Sequence, residues 1–304
     1  MKPTLTIGVP AYNEEANIKN LLNRLLRQQQ TNFELLEIIV MSDGSSDSTV
    51  KKAIEVDDPK IKVIDSTDRK GKIKRINEIF EIAKGDIVAL VDADVIPATY
   101  DTFDNLIKPF VENSEVVYTS GGPKVVKPQN FIEQAVYVSR SVWDKVRLNL
   151  KNGNSVYSCH GQLYALKNEF AKKNPFPETV WADIGFHYFI CLRDGGKFVS
   201  AKSAGTLFTL PATSNDYIKQ ISRYQREDKA LISYFGDWIL PEYVIPKSML
   251  YKYKLQAFLR WPLHCTAIFI LNFYAKYFYK ESKKTAIANW TLVNSTKKQI
   301  VNDL

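Results

Sequence analysis

Cysteine and histidine are scarce in this chain, with three of each in 304 residues. Cys159, Cys191 and Cys265 are too few and too scattered for a disulfide framework, which points to a reducing compartment. No paired C-x-x-C spacing accompanies Cys159, His160, His187 or Cys191, so zinc is not expected and His187 and Cys191 read as core or pocket wall. Nothing repeats at a fixed period, which excludes a repeat array, and no segment is of low complexity. There is no long uninterrupted apolar run. The richest stretch, Trp261 to Tyr274, is broken by Pro262, His264 and Asn272 and falls short of the roughly 20 apolar residues of a spanning helix. A single span near 258–279 stays open as an alternative. No leader pattern precedes the strand-like Leu5-Thr6-Ile7-Gly8-Val9, so the active domain is expected in the cytoplasm.

What is present is a substantial core, with 45% hydrophobic residues, and an uneven charge. Residues 1–200 carry 26 Lys and Arg against 26 Asp and Glu, whereas residues 201–304 carry 15 against 7, so the whole +8 lies in the last third. Lys252, Lys254 and Arg260 precede the aromatic stretch, and Lys276, Lys280, Lys283 and Lys284 follow it. Basic residues flanking apolar aromatics point to an anionic membrane surface, and a core helix capping one end of the domain is the plainer reading. Nucleic acid explains the charge less well, because no recognised binding motif accompanies it.

The first 120 residues alternate strand and helix patterns. Strands are expected at Leu5–Val9, Leu36–Met41, Ile61–Ile64 and Ile87–Val91. Between them run helical faces, one of Ile18, Leu21, Leu22, Leu25 and Leu26, with Asn13 as candidate N-cap, and one of Ile73, Ile76, Ile79, Phe80 and Ala83. This order predicts an α/β fold with a mainly parallel sheet flanked by helices. Farther on, Gly121-Gly122-Pro123 is expected to break the pattern after a strand at 116–119, and a helix follows through Phe131–Leu150. A helix near Asp183, a strand near Lys197–Ala201, a polar helix within Pro211–Lys229 and an amphipathic helical extension complete the pattern.

The most informative feature is Asp92-Ala93-Asp94, directly after the buried-strand run Ile87–Val91. The carboxyl ends of such strands are where open α/β sheets hold ligands. Alternation along a strand would turn Asp92 and Asp94 to one side and Ala93 to the other. Two hard oxygen ligands there suit Mg²⁺ or Mn²⁺ bridging to phosphate oxygens, whereas an isolated D-x-D is a solvated surface turn.

Taken in order, Val9-Pro10-Ala11-Tyr12-Asn13-Glu14-Glu15, Asp43-Gly44-Ser45-Ser46-Asp47, Arg69-Lys70-Gly71-Lys72, Asn77, Ala83-Lys84-Gly85-Asp86 and Asp92-Ala93-Asp94 resemble family 2 glycosyltransferases of the GT-A fold. Ser42 stands where that family often has another Asp. The resemblance covers residues 3–230. It implies a nucleotide-sugar-binding half at 1–120 and an acceptor and catalytic half at 121–235, leaving 236–304 as a basic, membrane-proximal segment. It places Pro10, Ala11, Tyr12 and Glu14 around the nucleoside, Asp43 and Lys72 at base or diphosphate, Asp92 and Ala93 beside the ribose, and Asp94 with Asp92 at the metal.

On the acceptor side, His160-Gly161-Gln162-Leu163-Tyr164-Ala165 resembles the family's small-residue segment, which implies room for an acceptor at Gly161. Trp181-Ala182-Asp183 resembles the Glu-Asp motif whose Asp is the general base, with Ala182 in place of Glu; an N-cap is the structural alternative for Asp183. Gln220, Arg223 and Tyr224 resemble the Q-x-x-R-W element of processive polysaccharide synthases, Tyr224 replacing Trp, and imply contacts to acceptor or diphosphate; an amphipathic surface helix is the alternative. The resemblance thus implies an inverting, metal-dependent hexosyl- or N-acetylhexosaminyltransferase, using Mg²⁺ or Mn²⁺ and a donor expected to be UDP-linked. Its acceptor would be a lipid-linked or polysaccharide hydroxyl of the cell envelope, met at the cytoplasmic face of the membrane. Two rivals remain. A nucleotidyltransferase is disfavoured because Gly8-Val9-Pro10-Ala11-Tyr12 offers no Gly-rich phosphate loop, and the full set of carboxylates argues against a non-catalytic carbohydrate- or membrane-binding scaffold.

Overall fold

A computed structural model describes residues 1–180 and 184–279, with the backbone alone at 223–227. The alternating pattern appears as β1 (Thr4–Ala11), α1 (Ile18–Leu26), β2 (Glu34–Asp43), α2 (Thr49–Ile54), β3 (Ile61–Ser66), α3 (Lys72–Ile82) and β4 (Ile87–Val91). Next come the short β5 (Ile96–Pro97), α4 (Thr102–Glu112), β6 (Val116–Val125), α5 (Phe131–Asn149), β7 (Leu163–Lys167) and α6 (Asn168–Lys173). The chain continues through α7 (Phe186–Arg193), β8 (Lys197–Phe208), α8 (Ser214–Phe235), α9 (Lys247–Arg260) and α10 (Pro262–Tyr277).

The strands form one sheet in the order β3-β2-β1-β4-β7-β6-β8-β5. It is parallel from β3 to β4 and again between β6 and β8. β7 runs antiparallel to both β4 and β6, joining the two parallel parts. Leu5, Ile7 and Val9 turn one way and pack with Leu21 and Leu25 of α1 and Phe103 and Leu106 of α4. Ile39, Met41, Val88 and Leu90 face the other layer, against Ile76, Ile79 and Phe80 of α3 and Phe186 and Phe189 of α7. Covered on both faces, Ile87–Val91 is buried throughout, which is why the strand reads as an unbroken apolar run. His187 and Cys191 lie in the second layer, with the His187 Nε2 2.9 Å from the Asn174 carbonyl.

Several local expectations are corrected. Asn13 does not cap α1: the cap is Asn17, and Asn13 sits at φ +52 with its side-chain oxygen accepting from the Ser46 amide. β6 is not broken at Gly121-Gly122-Pro123. The strand continues by shifting register against β8 between the two glycines, where a Cβ on Gly121 would lie 2.5 Å from the Ala204 carbonyl oxygen. The helix expected near Asp183 begins at Phe186, capped by Gly185 at φ +86, a left-handed turn that glycine adopts without steric cost. The N-cap of α7 is therefore Gly185, and Asp183 lies outside the described residues.

Among the described residues the C-terminal extension holds two α-helices rather than one, because Pro262 lacks the N–H a continuous helix would need and Trp261 leaves helical geometry. α9 has no buried residue and α10 buries Ile268 and Ala275. α10 thus turns Ile268, Leu271 and Ala275, spaced on one helical face, toward the domain, and its outward face is largely apolar. Leu259, Leu263, Phe269 and Ile270 are each more than half exposed. Among the described residues no helix is long and apolar enough to cross a membrane.

Candidate active site

The carboxyl ends of β1, β2 and β4 open into a cleft of about 870 Å³. β1 delivers Pro10 and Ala11 to its wall, the loop after β1 delivers Tyr12 and Glu14, β2 delivers Asp43, and the segment after β4 delivers Asp92, Ala93 and Asp94. The expectation that strand alternation turns the two acids to one side is corrected, because β4 ends at Val91 and neither acid is a strand residue. They lie in a turn beyond the strand end, where the Val95 amide is 3.4 Å from the Asp92 carbonyl. Both nevertheless line the cleft, while Ala93 between them is 4% exposed and packs into the core.

Lys72, the first residue of α3, reaches across this floor. Its Nζ is 2.5 Å from Asp92 Oδ1 and donates to the Gly161 carbonyl at 3.2 Å. Asp92 is tied to the same segment from its backbone, the amide donating to the Gln162 carbonyl at 3.0 Å. Asp43 also lines the cleft, and its carboxylate accepts from the Lys70 amide at 2.7 Å, the Gly71 amide at 3.0 Å and Arg75 Nε at 2.8 Å. It thereby holds the 68–72 loop against the sheet end. Arg75 is buried, and although burial alone would lower its pKa, hydrogen bonds to Glu78, Asp43 and Asp68 raise it, so it stays charged. Glu14 is 7% exposed and accepts from Asn17 Nδ2 at 3.0 Å. The Arg69 guanidinium lies over the Tyr12 ring at 3.9 Å, so two cleft residues form one flat platform.

The far wall comes from the second half of the chain. Gly161 and Gln220 line the same cleft, as do Ser139, Arg140, Trp143 and Arg147 of α5, and α10 contributes Phe269, Phe273 and Tyr277. His160 is held well below its ordinary pKa by burial, then by Arg147 and Arg140, which keeps its imidazole neutral. Solvent reaches Asp228, but the surrounding walls strip enough water to push its carboxyl above the usual range. Burial, with Asp228 nearby, also raises Tyr157 to about 12. Asp183 lies outside the described residues, as do the side chains of Arg223 and Tyr224. Ile184, next to Asp183 in the chain, lines the cleft.

Sequence reasoning missed Arg75, Arg140, Arg147 and Asp228. Arg75 follows Lys72 by three positions on one helix face, and Arg140 and Arg147 are two helical turns apart. Those spacings were the available signals; Asp228 had none. Conversely, Asn77, Gly85 and Asp86 hold the frame. Asn77 pairs with the Phe176 backbone at 2.8 and 2.9 Å, the Gly85 amide donates to Thr6 at 2.9 Å, and the Asp86 carboxylate accepts from the Thr4 amide at 2.8 Å.

The donor set fits a small divalent cation. Two carboxylates at a strand end are a partial oxygen shell, the kind that leaves positions for diphosphate oxygens and water. The family described as Glycosyl transferase family 2 matches residues 6–170. The chain belongs to that family. A 4,4'-diaponeurosporenoate glycosyltransferase of Staphylococcus aureus is 36% identical over 108 residues, covering 35% of this chain and 28% of that enzyme. A Synechocystis glycosyltransferase described as uncharacterized is 30% identical over 118 residues, covering 38% of this chain and 37% of the relative. These matches thus span roughly a third of the relatives' length. Among solved structures, a Pyrobaculum calidifontis mannosyltransferase in complex with GDP-Man and Mn²⁺ superposes with a TM-score of 0.60 at 19% identity, over 92% of this chain and 77% of that one. A Mycobacterium tuberculosis glucosyl-3-phosphoglycerate synthase, in complex with Mn²⁺, UDP and phosphoglyceric acid, gives 0.52 at 20%, over 77% and 79%. The fold is therefore GT-A, as the resemblance implies.

Proposed function

We propose that this chain is an inverting glycosyltransferase that moves a hexosyl or N-acetylhexosaminyl group from a nucleotide-diphosphate sugar, UDP-linked in our reading, to an acceptor hydroxyl at a membrane surface. The observation that carries the reading is the convergence of Pro10–Tyr12, Asp43, Lys72, Asp92 and Asp94 on one cleft at the ends of three parallel strands. In this reading the Tyr12 platform takes the flat base and Glu14 the ribose side, while Asp43 keeps the 68–72 loop in place beneath them. Lys72 supplies a positive charge beside the diphosphate. Mg²⁺ or Mn²⁺, held by Asp94 and Asp92, would neutralise the leaving diphosphate as a Lewis acid. Asp183 removes the proton of the attacking hydroxyl, an assignment supported by its family motif and by the cleft position of its neighbour Ile184. Attack from the side opposite the nucleotide inverts the anomeric centre.

The membrane part of the proposal rests on the exposed apolar residues of α9 and α10, interleaved with Lys252, Lys254, Arg260 and Lys276. Aromatic and aliphatic side chains enter the headgroup boundary while the cations meet anionic lipid. The test of the donor reading is a panel of UDP-, GDP- and dTDP-sugars measured for Mn²⁺-dependent thermal stabilisation, since a ligand that binds the folded state raises apparent stability. A shift for one donor in Mn²⁺ that disappears in EDTA is the expected result; no shift with any donor would sink the reading.

A further inference from the structure

Resting on that transferase reading, we infer that the acceptor presents an uncharged pyranose ring, which lies against Trp143 and donates a hydroxyl hydrogen bond to Asp228. α5 turns Ser139, Trp143 and Arg147 into the cleft at four-residue steps, hence from one face of the helix. Trp143 is 36% exposed there, so its indole has room for a ligand. The Trp143 and Tyr157 ring centroids are 5.8 Å apart, and those of Tyr157 and Tyr243 are 6.2 Å apart. The Tyr157 hydroxyl donates to the Tyr243 carbonyl at 2.8 Å, which fixes the order of the three. Together they make a continuous aromatic wall, and all of them line the cleft. Arg147, next along the helix face, is paired with Asp144.

Asp228 enters the same cleft from α8. Burial, and then the charge of Asp228, raise the pKa of both Tyr157 and Tyr243, which sets the carboxylate beside the aromatic wall. An aromatic face with one carboxylate at its edge selects among occupants by chemistry. Hydrocarbon would cover the rings and leave the carboxylate stripped of water without a donor. An inorganic anion would meet the like charge of Asp228. A pyranose satisfies both groups: one face of its ring is apolar C–H, and its hydroxyls donate to a carboxylate that can only accept. The subsite also adjoins the segment that follows the proposed base. A Cβ on Gly185, two residues after Asp183, would lie 3.1 Å from Leu231 Cδ1 and 3.5 Å from Val156 Cγ2. Leu231 is three residues beyond Asp228 on α8, and Val156 precedes Tyr157 in the chain. A sugar held by Trp143 and Asp228 is therefore bounded by the stretch that leads back to Asp183.

The test is titration of the full chain, with and without UDP and Mn²⁺, by the methyl β-glycosides of glucose, galactose, mannose and N-acetylglucosamine. Cyclohexanol and inorganic phosphate are the controls, and saturation-transfer NMR reads binding. At least one glycoside is expected to bind about tenfold more tightly than either control. Trp143→Leu and Asp228→Ala should each weaken it about tenfold, with partial recovery in Trp143→Phe and Asp228→Asn, while UDP affinity in Mn²⁺ changes less than about twofold. One monodeoxy analogue of the bound glycoside should lose about tenfold against the wild-type chain and little against Asp228→Ala, a coupling that a merely structural role would not produce. If Asp228→Ala fails to fold, Asp228→Asn and the deoxy series carry the test. The octyl glycoside, used below its micelle-forming concentration, binds more tightly than the methyl one where the sugar is lipid-borne and equally where it ends a free glycan; either result supports the sugar subsite. Binding by none of the glycosides, equal affinity for cyclohexanol, or indifference to both Trp143→Leu and Asp228→Ala would overturn the proposal. Glycoside binding with no response to any nucleotide sugar would instead count against the transferase reading and leave the sugar subsite standing.

Discussion

Lys72 Nζ stands 2.5 Å from Asp92 Oδ1, and the same ammonium donates to the Gly161 carbonyl, so one cation links the carboxylate beyond β4 to the loop that leads into β7. Both partners are largely shielded, with side chains 11% and 19% exposed, so their attraction is less screened than that of a surface ion pair, against a larger desolvation cost. In the proposed cycle this ammonium turns from Asp92 toward the diphosphate. Lys72→Ala should therefore weaken UDP binding in Mn²⁺ by about ten- to a hundredfold, the loss of one charge-assisted contact. Isothermal titration checks it, and an unchanged affinity would remove Lys72 from the donor site.

Asp183→Asn separates chemistry from binding. The expected result is a fall in the transfer rate of about 10²- to 10⁴-fold, with UDP affinity changed less than about twofold. Transfer at near wild-type rate would disprove the base assignment and turn attention to Asp228, whose raised carboxyl pKa and place in the cleft suit a proton acceptor.

Asp94→Asn addresses the metal. With Mn²⁺ and UDP at a hundred times their Kd, the wild-type chain should gain about 2.7 kcal/mol of apparent stability, and the variant almost none. Differential scanning fluorimetry with and without EDTA reads this directly. A variant that keeps the full metal-dependent gain would show that Asp94 is not a ligand.

Glu37 gives a pH prediction independent of catalysis. Burial would raise its carboxyl, yet Lys62, the Lys84 amide and Thr6 together hold it below the usual carboxylate range. A depressed folded-state pKa contributes stability that is present above the unfolded value, about 4.3, and is lost as pH falls through the folded value. Glu37→Gln should cost about 1–3 kcal/mol at pH 7, and the gap should close progressively below about pH 4. Urea titrations at pH 7 and pH 3.5 measure both; a gap that stays constant would refute the linkage.

The first 120 residues were legible because their elements are encoded locally. Ile87–Val91 reads as a doubly covered strand from five consecutive apolar residues, and Asp92 and Asp94 follow it directly. Asp43 was found as a cleft residue, but its three protein donors come from residues 70, 71 and 75, and sequence spacing does not announce that saturation. The far wall of the cleft was less legible, because it depends on where α5, α8 and α10 meet. Arg140 and Arg147 look like ordinary surface cations of a helix until α10 packs beside them. The continuation of β6 past Gly121-Gly122-Pro123 was hidden for a related reason: its partner β8 lies far along the chain. Of the residues implied for catalysis, Asp183 and the side chains of Arg223 and Tyr224 fall outside the described residues, so their placement still rests on motif alone.

The reversed strand β7 has a kinetic consequence. It is the seam between the two parallel parts of the sheet, and the turn leading into it, Gly161-Gln162, is held by Lys72 and by the amide of Asp92. In the proposed reading, drawing Lys72 toward a nucleotide would release one of the two bonds on that turn, so the second substrate would meet a wall reset by the first. Steady-state patterns are thus expected to show compulsory-order addition, nucleotide sugar leading, and product inhibition by UDP competitive with the donor alone.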